Sequence, residues 1–222
     1  LAANIAIGEE PGRLYDLFRL GDLAAARGDS VVARQKYGEA LSGMEATGDF
    51  LSAAEVKVAL AALELVGGES QNAATLAGQA EQVARTEGAT DVRIRALLVL
   101  GRSVLARRNL QKVRETVEEI SWLVEGSTNP RLRLQCATLT AQAQAASGRH
   151  QDVDSALAAL ERIITETAER QLIPDHLEAR LAKIEIEIAA GLPEADGERQ
   201  TLIREAGDKG FGSIVDRAEV LH

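Results

Sequence analysis

Apolar residues recur along the chain at the 3.6-residue period of helices that bury one face. The runs stop about every 20 residues. Gly28, Gly67-Gly68, Gly148 and Gly191 each follow an apolar-periodic run, and Gly28, Gly68 and Gly148 are in phase at 40 and 80 residues. The missing phase point is Arg108, beside Asn109, and Asn tolerates the left-handed backbone that ends helices. Gly48 and Gly88 form a second set 40 apart, with Gly126 close to the next expected place.

The period extends beyond glycine. Seven residues before each phase point stands a small residue: Gly21, Ala61, Gly101, Ala141. Five after come Ala33, Ala73, Val113 and Val153; nine after, Tyr37, Ala77, Val117 and Leu157; twelve after, Ala40, Ala80, Ile120 and Leu160. The last three columns step by four and then three, so they share a helical face. The small column predicts close helix approach, and the apolar columns predict the seam between repeats.

This predicts helix pairs at 12–27/30–46, 50–66/70–87, 91–107/110–125 and 131–147/150–170, a fifth pair at 175–190/195–208 and a last helix at 212–221. Repeats would then span about 12–48, 50–88, 91–126, 130–171 and 174–210, in one elongated domain over 1–222. Pro11, Pro130, Pro174 and Pro193 all fall at predicted boundaries, where proline is tolerated. Asn129-Pro130 reads as an N-cap followed by a first-turn proline. In the fifth unit the columns drift, with Asp196 at an apolar place. That is expected of a capping repeat with no neighbour on its outer face.

Composition agrees with an all-α chain. Of 222 residues, 38 are Ala and 3% are aromatic, which disfavours a sandwich or barrel. The net charge of −9 argues against nucleic acid as a partner, because phosphate binding needs cations. The richest basic stretch, Arg102, Arg107, Arg108, Lys112 and Arg114, has Glu115, Glu118 and Glu119 behind it and reads as a solvated face. Cys136 is alone, so it is expected as a small buried hydrophobe in a reducing, cytoplasmic setting. No apolar stretch is long enough to cross a bilayer. A chain that opens on Leu1 is expected to be part of a longer protein.

These columns resemble the tetratricopeptide (TPR) repeat: Leu20-Gly21, Gly28, Ala33, Tyr37 and Ala40-Leu41 follow its pattern, and Leu100-Gly101 begins it again. The common TPR period is 34. The period of 40 here is similar to the longer variant of bacterial regulators, kinesin light chains and polarity adaptors. The tail from Ile203 to Ala218 resembles the ends of TPR arrays appended to bacterial kinases and winged-helix regulators. The resemblance implies an α-solenoid, a right-handed superhelix of about five hairpins with a C-terminal capping helix.

In that family the first helix of each pair lines a concave groove that binds a protein or peptide. Carried over by column, the groove would hold Tyr15, Phe18 and Asp22, then Glu55, Val58 and Ala62, then Arg95, Leu98 and Arg102. Gln135, Thr138 and Gln142 follow, and the fifth unit adds Glu178, Leu181 and Glu185. Phe18→Ala or Arg102→Glu is then expected to weaken partner capture without loss of helicity. The first groove columns, Phe18 and Asp22, lack the Lys and Asn of the subtype that clamps chaperone C-termini. Four of the six aromatics (Tyr15, Phe18, Tyr37, Phe50) fall in the first 50 residues and fit either an interface or the packing of that repeat. Trp122 is expected in the seam.

Catalytic patterns are poor. His150, His176 and His222 have no metal-ligand spacing, no phosphate loop occurs, and no cofactor or metal is expected. Two readings stand beside a partner-binding scaffold: self-association through an end repeat, giving a homo-oligomer, and a small-ligand sensor.

Overall fold

The computed structural model describes residues 2–221, with side chains from Glu10 onward. The alanine-rich runs fold as eleven helices: α1 (Ala2–Ala26), α2 (Ser30–Thr47), α3 (Phe50–Val66), α4 (Ser70–Thr86), α5 (Thr90–Ala106), α6 (Leu110–Glu125), α7 (Pro130–Ala145), α8 (His150–Glu169), α9 (Ile173–Ala189), α10 (Ala195–Asp208) and α11 (Gly212–Glu219). Gly28, Gly48, Gly68, Gly88, Gly148 and Gly191 carry the positive φ that ends helices. At the missing phase point Arg108 itself takes φ 57°, and Asn109 instead caps α6 by accepting from the Lys112 N–H at 3.1 Å. Asn129 accepts from the Arg131 N–H at 3.1 Å, and Pro130 fills the first turn of α7.

One helix departs from expectation. α1 begins at Ala2, so Pro11 lies inside it rather than at its start. An interior proline loses its own N–H bond and crowds the carbonyl four residues before it, yet α1 runs on through Pro11 into the segment from Ala2.

The columns predicted from spacing are the seams. Ala33, Ala40, Ala61, Ala73, Ala80, Val113, Ile120 and Leu160 are fully buried. In the first hairpin Gly21 faces Tyr37, and a Cβ at Gly21 would lie 2.5 Å from the ring. Later the face turns by one residue: Thr116 and Ala156 are buried while Val117 and Leu157 are only half-buried. Trp122 is a correction. It is 73% exposed on α6, because Ile120, Leu123 and Val124 already turn the buried face the other way.

Consecutive helices pack as antiparallel neighbours. The odd-numbered helices also pack on one another in order, α1 on α3, α3 on α5, α5 on α7, α7 on α9 and α9 on α11. Among the described residues no two even-numbered helices pack in this way. The odd-numbered helices therefore form the inner layer and the even-numbered ones the outer layer. α11 also reaches α1, so the inner layer closes on itself. The approach is close: a Cβ at Gly212 would clash with the Arg27 carbonyl oxygen, and one at Gly28 would lie 2.8 Å from the side-chain oxygen Oδ2 of Asp216.

Near that closure, Lys183 on α9 ties three helices together. Its Nζ lies 3.1 Å from Glu161 on α8, 2.9 Å from Glu187 on α9 and 2.7 Å from Glu198 on α10. Burial opposes its charge, but the three carboxylates outweigh that and push its pKa up. Here ion pairs join units whose apolar columns have drifted.

Candidate functional site

The inner layer decides which predicted groove residues can meet a partner. Each inner helix has neighbours on both sides and outer helices behind it, so only a narrow strip faces inward. Residues three or four places off that strip are core. Phe18 is 8% exposed, tilted against Tyr37 at 5.9 Å and edge-on to Tyr15 at 6.4 Å. Leu98 and Leu181 are buried, and Val58 is half-buried against the alanine clusters of the second repeat. Phe18, Leu98 and Leu181 are corrections to the column reading, while Val58 is half-buried like Gln135 and Gln142. Tyr15 is exposed beside a cavity of about 270 Å³ lined by Pro11, Met44, Asp49 and Ser52, at the N-terminal edge.

The polar predictions other than Arg102 and Thr138 are paired, Asp22 within the first hairpin and the others between successive inner helices. Asp22 accepts from Arg19 at 2.8 Å and from the Tyr37 hydroxyl at 2.9 Å. Burial nevertheless holds its carboxyl above the usual range. Glu55 on α3 accepts from Arg95 on α5 at 2.7 Å. Gln135 on α7 donates to Asp175 on α9 at 2.7 Å, and Gln142 donates to Glu185 at 3.0 Å. Such pairs span one repeat each, so they follow the 40-residue spacing.

The fifth unit and α11 complete the surface. Arg217 of α11 donates to Glu178 at 2.7 Å and stands 3.9 Å from Glu185. Water reaches about a third of each of these side chains. Burial opposes ionisation of Glu178, but Arg217 and then Arg102 outweigh it, and its pKa falls below the ordinary value. At Glu185 burial prevails, with the Glu178 charge adding to it, and the pKa is raised. Gln142 Oε1 is buried and accepts no hydrogen bond among the described residues.

Three participants were not legible beforehand. Arg131 donates to Asp175 at 2.7 Å, although only its partner Gln135 stood in a predicted column. Asp175 follows Pro174 in the first turn of α9, where a carboxylate reads as a dipole partner. Arg217 sits in the tail, outside any repeat. The one signal available for Arg131 was its place one helical turn before Gln135.

Chemistry of other kinds does not converge. Cys136 is buried, and burial pushes its thiol up, which leaves it a poor nucleophile. His176 Nδ1 lies 3.2 Å from the Ile164 carbonyl oxygen and 3.3 Å from Thr167 Oγ1, within a helix seam. No group of three His, Cys, Asp or Glu side chains that could hold a metal occurs among the described residues. Among the same residues no helix is long and apolar enough to cross a membrane.

Helical hairpins stacked at a 40-residue period, with first helices inside, define a TPR-like helical repeat protein. No family profile matches the sequence, and no curated protein matches it. Solved structures do match. A Rap protein complexed with Competence and Sporulation Factor aligns with TM-score 0.69 at 13% identity, covering 94% of this chain and 55% of that one. A Podosopora anserina protein described as a putative kinesin light chain with nearly identical TPR-like repeats aligns with TM-score 0.55 at 20% identity, covering 95% of each chain. A single-substitution form of that protein gives the same score and identity. The chain thus spans little more than half the length of the Rap protein. At these identities the likeness establishes the fold.

Proposed function

We propose that this chain is a non-catalytic binding scaffold whose inner surface takes an extended peptide, free or as a segment of a protein partner. The carrying observation is the inner layer, where polar groups from α7, α9 and α11 converge. An extended chain brings unpaired backbone N–H and C=O groups. A polar channel can satisfy them, whereas an apolar one would leave them orphaned. Gln142 Oε1 is one acceptor positioned for such an N–H. The Rap protein's complex with Competence and Sporulation Factor gives the same fold a bound partner. In this reading the chain is the docking or sensor region of a larger bacterial regulator acting in the cytoplasm.

Fluorescence anisotropy with labelled random octapeptide pools tests the reading. At least one pool is expected to bind, and Gln135→Ala with Gln142→Ala is expected to weaken it tenfold or more at unchanged helical circular dichroism. A set of pools that never binds, or binding weakened equally by Glu118→Ala on the outer layer, would contradict it.

A further inference from the structure

Trp122 is the one tryptophan of the chain, and it stands 73% exposed near the C-terminal end of α6. Packing makes no use of it. Ile120, Leu123 and Val124 of the same helix fill the seam. Among the described residues no other ring and no cation stacks on the indole.

The helix face around it is unpartnered and acidic. α6 belongs to the outer layer, where no two even-numbered helices among the described residues pack on one another. Glu118 lies one turn before Trp122 and Glu125 one turn after it, and both are exposed. Residues three or four apart are neighbours on a helix surface. Among the described residues neither carboxylate makes a side-chain hydrogen bond or an ion pair within 4.0 Å. Glu115, a turn further back, is by contrast held by Gln111 at 3.1 Å and Lys112 at 3.2 Å. Arg114, one turn before Glu118, donates instead to the Leu110 carbonyl oxygen at 3.2 Å.

An indole face with a free carboxylate on either side suits one chemistry. The indole attracts cations, guanidinium above all, and a guanidinium also forks onto a carboxylate. An apolar or acidic segment lying here would strip water from Glu118 and Glu125 and return nothing. The net charge of −9 draws a cationic segment in. The two carboxylates are about 10 Å apart along the helix axis, a distance that an extended chain covers in about three residues.

We propose that the outward face of α6 is a docking site for an arginine-bearing, extended segment of a partner protein. Its arginines pair with Glu118 and Glu125, and one guanidinium lies across Trp122. The site is independent of the inner surface and uses none of its residues.

The single tryptophan is its own probe. The full chain is titrated with a capped peptide of three Arg-Gly-Gly repeats and with Lys-Gly-Gly and Glu-Gly-Gly counterparts. The arginine peptide is expected to change Trp122 emission saturably, the lysine peptide to bind at least threefold more weakly, and the glutamate peptide not to bind. By anisotropy of the labelled arginine peptide, Trp122→Ala and Glu118→Gln with Glu125→Gln are each expected to lose tenfold or more at unchanged melting temperature. Asp154→Asn with Glu169→Gln, which removes equal charge from the exposed face of α8, is expected to stay within twofold of wild type. Unchanged emission, or an equal loss in the α8 variant, overturns the site in favour of general charge attraction. A loss in Gln135→Ala with Gln142→Ala instead places the peptide on the inner surface and overturns it too. An emission change with protein concentration alone assigns the face to a second copy of the chain and also overturns it.

Discussion

Gly21 is packed so tightly that a methyl group there would meet the Tyr37 ring at 2.5 Å. The ring cannot retreat, because Phe18 backs it and its hydroxyl is bonded to Asp22. Gly78, inside α4, has nothing within 4 Å of the same position. Gly→Ala inside a helix is worth about 1 kcal/mol in stability where space allows, while overpacking costs about 1–3 kcal/mol. Gly78→Ala is thus expected to raise the urea midpoint and Gly21→Ala to lower it. Phe18→Ala is expected to cost about 3–5 kcal/mol, as for a buried aromatic, and not to act as a pure binding defect. Arg108→Gly is expected to stabilise by about 1 kcal/mol, because the left-handed backbone at that turn strains any side chain. At this scale the sequence identified the small and apolar seam columns. It misjudged Phe18, Leu98, Leu181 and Trp122, because a column shared by homologous helices does not say how wide the exposed strip is. That width depends on neighbours on both sides.

The helices themselves were legible. Ten of the eleven match the predicted ends within two residues, because glycine or a capping residue marks each turn locally. The start of α1 was not, since Pro11 reads as a boundary wherever tertiary context is unknown. The docking of α11 on α1 was also not, since a contact between first and last elements leaves no trace in local periodicity. Gly212→Val tests that docking. Its side chain would collide with the Arg27 carbonyl, which is backbone and cannot swing away. The variant is expected to keep its helical signal while hydrogen exchange speeds up around residues 27–28 and 212–219. Arg217 gives the same docking a pH dependence. The Glu178 carboxyl is held below its ordinary value, so its stabilising pairing is present above that value and is lost as pH falls through the lowered one. Exchange in α11 is therefore expected to rise in acid, and Glu178→Gln is expected to show fast exchange at neutral pH. Lys183→Met is expected to destabilise by about 3 kcal/mol, because it leaves the buried Glu187 without its cation beside two further carboxylates.

The whole molecule turns a one-dimensional stack into a closed one. In an open solenoid each repeat depends on its neighbours alone. Here the contact of α11 with α1 couples the two ends and encloses the inner surface. That enclosure is what sharpens the functional reading. It adds Arg217 of α11 to the inner charges, which are paired between neighbouring helices, and Gln142 Oε1 is left with unspent bonding capacity. The polar part of the candidate surface was legible from one repeat period. Its closure and its last contributor, Arg217, were not. The central claim is that a peptide occupies this inner surface. The most direct measurement is a backbone amide shift map of the ¹⁵N-labelled chain, titrated with the best-binding octapeptide. Shifts concentrated on α5, α7 and α9 around Arg102, Gln135 and Gln142 are predicted. Shifts confined to the outer helices α4, α6 and α8 would contradict the account.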